Sequence, residues 1–172
     1  PGVGGAVLLS ADDSRAGFTA FKFATFPEFD GLFHSYVDWR DNAQGGLAGS
    51  GREGLAGSGS NVLTVEIDDS YLTQALDCAE RVVRELIVAQ AFELDDVELL
   101  VATASVPDFA DGLATRLGAS AGRIASLPTD LARAHTAAPA VALEAAGLAE
   151  AGTTLFVSVG AGITVAAAVY RG

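Results

Sequence analysis

The sequence predicts a layered α/β fold, and three observations predict it. Short apolar or alternating stretches of strand character recur at Phe18 to Phe26, Val62 to Ile67, Val97 to Ala102, Thr154 to Val159 and Ile163 to Tyr170. Between them, apolar residues recur at helical spacing, and the longest such stretch carries Leu72, Leu76, Ala79, Val83, Leu86 and Val88. The 172 residues are 50% hydrophobic, so the chain can bury a core and disorder is excluded. Strands that alternate with helices of about 10 to 20 residues indicate a sheet with parallel members and helices laid across it.

Element by element, the chain opens on Pro1-Gly2-Val3-Gly4-Gly5-Ala6-Val7-Leu8-Leu9, which is strand-like and lacks both an initiator Met and a signal peptide. It reads as the second part of something longer. Phe18 to Phe26 is a strand with aromatics on one side, ended by Pro27. Phe29 to Trp39 is an aromatic-rich connector, and the stretch from about 43 to 60, where Gly-Leu-Ala-Gly-Ser-Gly occurs twice, is expected to be a mobile insertion. Val62 to Ile67 alternates as a strand with one wet face should. The long helix follows, capped by Asp69 or Ser70 and running to about Phe92. Val97 to Ala102 is an apolar strand after an Asp95-Asp96 turn; Ser105, Pro107 and Asp108 open a second helix that stops at Gly118. A short strand near Ile124, a third helix from about Ala137 to Ala149, and two strands joined by Gly160-Ala161-Gly162 complete the order. That closing hairpin adds an antiparallel edge.

Composition narrows the function classes. With 22 Asp and Glu against 10 Lys and Arg the formal net charge is −12, which repels phosphate backbones and anionic lipid, so no nucleic acid and no membrane surface is expected as a partner. The apolar runs are well short of the roughly 18 residues a spanning helix needs. Cys78 is the single cysteine, which excludes an intramolecular disulfide and a four-ligand Cys/His zinc site, so no metal is expected and a reducing, cytoplasmic setting is.

Several residues could carry chemistry, and each has a structural reading beside it. The string Gly49-Ser50-Gly51-Arg52-Glu53-Gly54 has the spacing of a dinucleotide fingerprint but no strand before it, and is a by-product of the repeat. Ser105-x-x-Asp108 matches a capping box. His135 follows a strand and precedes a helix rich in small residues, where an imidazole can stand in a cleft or be a satisfied structural residue. His34 lies among Phe33, Tyr36 and Trp39, which suit packing or a cavity wall equally. Cys78 stands beside apolar helix positions and reads as buried and inert.

The order of elements and several strings resemble the C-terminal half of the ketoacyl-ACP synthase III family. Pro1-Gly2-Val3-Gly4-Gly5-Ala6-Val7-Leu8 is similar to that family's D-G-A-G-A-x-V-L strand. Val97-Glu98-Leu99-Leu100-Val101-Ala102 is similar to the segment leading to its H-Q-A-N motif, and Gly160-Ala161-Gly162-Ile163-Thr164 to its G-G-G-x-T. The resemblance implies a thiolase-like fold, of which this chain is one layered half: a mixed five-stranded sheet with helices, within a pseudo-duplicated whole. It places the nucleophilic cysteine on the other half, makes the Ala161 N–H, flanked by Gly160 and Gly162, a donor to a thioester oxyanion, and implies a homodimer.

The departures from the family carry as much as the matches. Thr103 stands at the family's His and Val106 at its Asn, and Ala134-His135-Thr136 stands near its Gly-Asn pair. The neutral donor pair that decarboxylative condensation needs is missing. A single His beside a cysteine suits acyl transfer instead, from a CoA or phosphopantetheine (carrier-protein) thioester to a small hydroxyl or amine acceptor, with no tightly bound cofactor. Asp108 is the first choice for the acid that orients His135 and Asp111 the alternative; capping competes for Asp108. Thr103, Phe33, His34 and Trp39 are the expected substrate-binding residues. The alternatives are a condensing enzyme of the synthase III type and a non-catalytic partner subunit.

Overall fold

The structure, a computed structural model, describes residues 16–38, 62–118, 123–125, 137–146 and 152–172. The opening strand-like segment, Trp39, the glycine- and serine-rich insertion and His135 lie outside the described residues. In chain order the elements are β1 (Gly17–Thr25), β2 (Phe33–Asp38), β3 (Val62–Ile67), α1 (Tyr71–Gln90), β4 (Leu99–Thr103), α2 (Phe109–Leu117), β5 (Arg123–Ala125), α3 (Ala138–Ala146), β6 (Thr153–Gly160) and β7 (Thr164–Arg171). The main sheet has five strands in the order β1-β7-β6-β4-β5. β4 runs parallel to β5 and β6, and β7 runs antiparallel to β6 and β1, so the mixed α/β sheet expected from the sequence is present.

Alternation along the strands divides the sheet into two faces. On one, Leu100, Ala102, Leu155, Val157, Val159, Val165, Ala167 and Val169 join a single buried cluster with Ala79, Val82, Val83 and Leu86 of α1 and Phe109, Leu113 and Leu117 of α2. On the other, Leu99, Val101 and Ala125 pack against Ala142 of α3. The crossover from β4 through α2 leads to β5, and the return through α3 passes β4 to reach β6; the helices of these opposed crossovers cover opposite faces.

Helix ends follow local chemistry, with one correction. α1 begins after Ser70, but neither Ser70 nor Asp69 supplies the side-chain cap. The Asp68 carboxylate accepts from the Ser70 N–H at 2.8 Å and the Ser70 hydroxyl at 2.6 Å, and these bonds hold it below its ordinary pKa. α2 stops as predicted at Gly118, whose φ of 69° is the left-handed conformation glycine adopts without strain. Val88, expected on the buried stripe, is 82% exposed, because two residues past the buried Leu86 it is turned about 200° round the helix onto the solvent side.

The predicted connector from Phe29 to Trp39 contains regular structure. A 3-10 turn at Pro27–Leu32 leads into β2, which pairs antiparallel with β3 to make a two-stranded ribbon separate from the main sheet. The expected single wet face of Val62 to Ile67 is also corrected: Val65, Glu66 and Ile67 are all exposed, since the ribbon lies off the sheet that could have buried one side of it. Phe33 packs on the Tyr71 ring at 5.6 Å between centroids.

Candidate functional site

In an open α/β sheet, ligands bind outside the carboxyl ends of the strands where successive crossovers leave in opposite directions. Here that place is between β4 and β6, and the register puts Thr103 beside Ser158 at their carboxyl ends. Thr103 is 4% exposed and donates its hydroxyl to the Ser158 Oγ at 3.3 Å. Ser158 is itself exposed, and sequence reading missed it. The signal was the alternation of Thr154 to Val159, which puts Ser158, with Thr154 and Phe156, on the face opposite Val157 and Val159, but the parallel register that pairs it with Thr103 is a tertiary fact.

Beside this hydroxyl pair lies a recess of about 180 Å³. Its walls are Phe21 and Phe23 of β1, Phe156 of β6 and Pro139 of α3, and Ala166 and Ala168 of β7 form its floor. It exists because α3 covers only the β4 and β5 side of this face, while the small alanine side chains leave the floor low beneath the β1 phenyl rings. Phe21 is 58% and Phe23 70% exposed, an unusual state for rings on a strand beside a packed core.

Two residues beyond Ser158, β6 turns into β7 through Gly160, Ala161 and Gly162, the hairpin expected from the sequence. Gly162 has φ 66°, so the turn needs a residue free to adopt left-handed backbone there. The hairpin is anchored from below: Tyr71, fully buried, donates its hydroxyl to the Gly160 carbonyl at 3.1 Å, and burial pushes its phenol pKa up. Ala161 is exposed at the turn, with its peptide at the same end of the sheet as Thr103 and Ser158.

Asp108 does not act as the capping box predicts. It occupies the N-cap position of α2 itself, in left-handed conformation at φ 62°, and its side chain makes no capping hydrogen bond. The helix begins at Phe109, so Ser105 lies too far upstream to cap it and the Ser105/Asp108 reciprocity cannot form. Asp108 is exposed, five residues past the end of β4, and its carbonyl takes the first helical bond from Gly112 at 2.9 Å. Asp111 is exposed in the first turn of the same helix.

Of the other expected substrate contacts, Trp39 lies outside the described residues and two are on the ribbon. Phe33 and His34 lie on the ribbon, where Phe33 faces Tyr71 and His34 is exposed in register with Glu66; the recess beside Thr103 is walled by Phe21, Phe23 and Phe156 instead. The cause is the pairing of β2 with β3, which fixes the direction of alternate side chains. Cys78 is buried at 3% exposure on α1, and its thiol is pushed up to about 11 by burial first and then by the carboxylates of Glu28 and Asp77. Its burial is as expected. Among the described residues no cluster of His, Cys, Asp and Glu could hold a metal ion, and no helix is long and apolar enough to cross a membrane.

A mixed sheet with one helical layer complete and the other half-filled is the architecture of one layered half of a thiolase fold. Comparison with solved structures agrees. The chain superposes on 3-oxoacyl-(acyl-carrier-protein) synthase III from Aquifex aeolicus VF5 with a TM-score of 0.63 at 16% identity, covering 95% of this chain and 47% of that one. It superposes on β-ketoacyl-(acyl carrier protein) synthase III from Thermus thermophilus with a TM-score of 0.64 at 23% identity, covering 92% and 47%. A tetronic acid condensing enzyme, AbyA1, matches with a TM-score of 0.62 at 15% identity, covering 91% and 47%. The chain therefore has the fold of half a synthase III and spans about half the length of these neighbours. No protein-family model and no curated protein sequence matches it.

Proposed function

We propose that this chain is the acceptor-positioning half of a thiolase-fold acyltransferase, whose nucleophilic cysteine lies on a second α/β half seated against the open face of the sheet. The observation that carries the reading is the end of β4, where Thr103, tied to Ser158, stands in the place of the imidazole of the family the sequence resembles. Two hydroxyls donate hydrogen bonds but take no proton near neutral pH, so the only candidate base in this stretch of sequence is His135. His135 stands four positions ahead of Pro139, which walls the recess.

In the proposed reaction the cysteine thiol gives its proton to His135 as its sulfur attacks the thioester carbonyl, the donor thiolate leaves and takes that proton from His135, and an acyl-cysteine remains. The acceptor O–H or N–H then gives its proton to His135 as its oxygen or nitrogen attacks the acyl carbon, and the cysteine sulfur leaves. The Ala161 N–H serves as a donor to the oxyanion of both steps, and Asp108, with Asp111 as the alternative, orients the imidazole. The charge of −12 disfavours docking of an acidic carrier protein, so a CoA thioester is the proposed donor and a cytoplasmic homodimer the proposed state.

The test is His135→Ala in the complete two-half enzyme. Acyl transfer from acyl-CoA should fall by at least about a hundredfold, as expected for loss of a general base. Unchanged turnover overturns the reading. The condensing chemistry named for the structural neighbours supports a second reading, in which the enzyme releases carbon dioxide from a malonyl thioester; mass detection of that release would replace the first reading with the second.

A further inference from the structure

We infer that the outer edge of β3 is a docking site for a partner protein, which adds an extended segment of alternating apolar and basic side chains as a third strand of the ribbon. The inference goes beyond the acyltransferase reading and uses none of its residues. β3 pairs with β2 alone, in an unbroken register that stands apart from the main sheet. The Asp68 N–H donates to the Leu32 carbonyl at 2.9 Å, so Leu32 and Asp68 form a hydrogen-bonded pair and, two residues on, so do His34 and Glu66. The alternate pairs, Phe33 with Ile67 and Ser35 with Val65, are then the ones without mutual backbone bonds. The N–H and C=O groups of Val65 and Ile67 therefore point away from β2, and no backbone group among the described residues takes them up.

Such an edge invites pairing unless it is blunted, and β3 has no Pro, no Lys and no bulge to blunt it. Two strands by themselves are marginal in water, so a third strengthens the ribbon. The side chains state what that strand must carry. On one face Val65 and Ile67 are 43% and 38% exposed, which leaves apolar surface uncovered. On the other face stands Glu66, and the turns at the base of the ribbon add Glu28, Asp30, Asp68 and Asp69, all exposed. Against these carboxylates, Pro27 to Asp38 and Val62 to Ser70 hold no Lys or Arg. At a net charge of −12 a second copy of this chain is repelled from the surface, as are nucleic acid and anionic lipid. A strand that alternates apolar with basic residues lays its carbon beside Val65 and Ile67 and its charge beside Glu66, while its backbone meets the open N–H and C=O groups.

The probe is a capped octapeptide of alternating valine and lysine, titrated into the complete two-half protein. At about ten times its Kd it should slow amide exchange at Val65 and Ile67 by about tenfold and leave β4 unchanged. Raising salt from about 0.1 to about 1 M shortens the screening length from about 10 to about 3 Å and should weaken binding at least about threefold. Glu66→Gln keeps an acceptor for the Tyr36 hydroxyl and should weaken binding about twofold to fivefold, the range of an exposed ion pair. Val65→Pro removes one edge N–H and should weaken it about fivefold or more, the worth of one backbone hydrogen bond. A peptide N-methylated at alternate residues makes the same test on the unaltered protein and should not bind. Equal binding by that peptide or by one of alternating valine and glutamate, or no slowing at Val65 and Ile67, overturns the site. Slow exchange at both residues before peptide is added also overturns it: if independent of protein concentration, the edge is covered within the protein, and if dependent on it, by a second copy.

Discussion

The two faces of the main sheet are built from the same strands and meet opposite conditions. Toward α1 and α2, Leu155, Val157 and Val159 of β6 and Val165, Ala167 and Val169 of β7 are all buried. Toward α3 the cover stops after β4 and β5, and Phe21, Phe23, Phe156 and Tyr170 stand on the part left bare, with Phe18 tying the cluster to Phe156 and Tyr170 at 5.5 Å between centroids. One face is finished within this chain, and the other carries aromatic surface that the chain does not bury. The difference teaches where burial is complete and where it is not: the finished face holds the fold, and the bare face carries the hydroxyl pair and the recess.

That contrast can be broken by substitution. The largest effect should come from Leu113→Ala, on the fully buried side, which removes core contacts between α2 and the sheet and should cost about 2 to 5 kcal/mol of unfolding free energy in urea titration. A cost under about 1 kcal/mol would mean that the α2 layer is not the stabilising one. Cys78 sharpens the same point chemically. Burial pushes its thiol up to about 11 from an ordinary 9.0, so at pH 8 the thiolate is rarer by on the order of a hundredfold, and iodoacetamide should label the native protein at least that much more slowly than the urea-unfolded chain. The sign follows for stability: the unfolded thiol ionises first, so the protein weakens as pH rises from about 9 toward about 11.

Smaller effects probe the boundary between the faces. Tyr71→Phe removes the hydroxyl that holds the Gly160 carbonyl and should cost about 1 kcal/mol, with amide exchange quickening at Ala161 and Gly162 more than in β4. Phe23→Ser, on the bare face, should change stability by no more than about 0.5 kcal/mol, because the ring is already in water. A loss there comparable to that of Leu113→Ala would show that the bare face is packed after all and erase the distinction.

Legibility from sequence followed the same division. The strands of the main sheet, the long helix and the stop at Gly118 were readable because each depends on local period or on one residue's backbone preference. Cys78 was readable as buried because a lone thiol amid apolar helix positions is covered through the helix's own periodicity. The ribbon was not readable: the Phe29 to Trp39 stretch has no clean alternation, and β2 forms only because β3, distant in sequence, offers its edge. Ser70 does not cap α1 because its N–H and hydroxyl both turn back onto the Asp68 carboxylate, a geometry that propensity does not encode.

Around the candidate site, the place of Thr103 at the end of β4 and of the Gly160-Ala161-Gly162 turn between two strands was legible, and the meeting of Ser158 with Thr103 was not. By itself the sequence determined the class of fold, the acidic surface, the absence of a disulfide within the chain and the positions of the main strands, because these follow from composition and from near neighbours along the chain. Only the tertiary structure decided that Ser158 meets Thr103, that Phe33 packs on Tyr71 away from the recess, and that one half of one face stays bare. Register across a sheet and the reach of a helix over it are set by residues far apart in sequence, and no local pattern contains them.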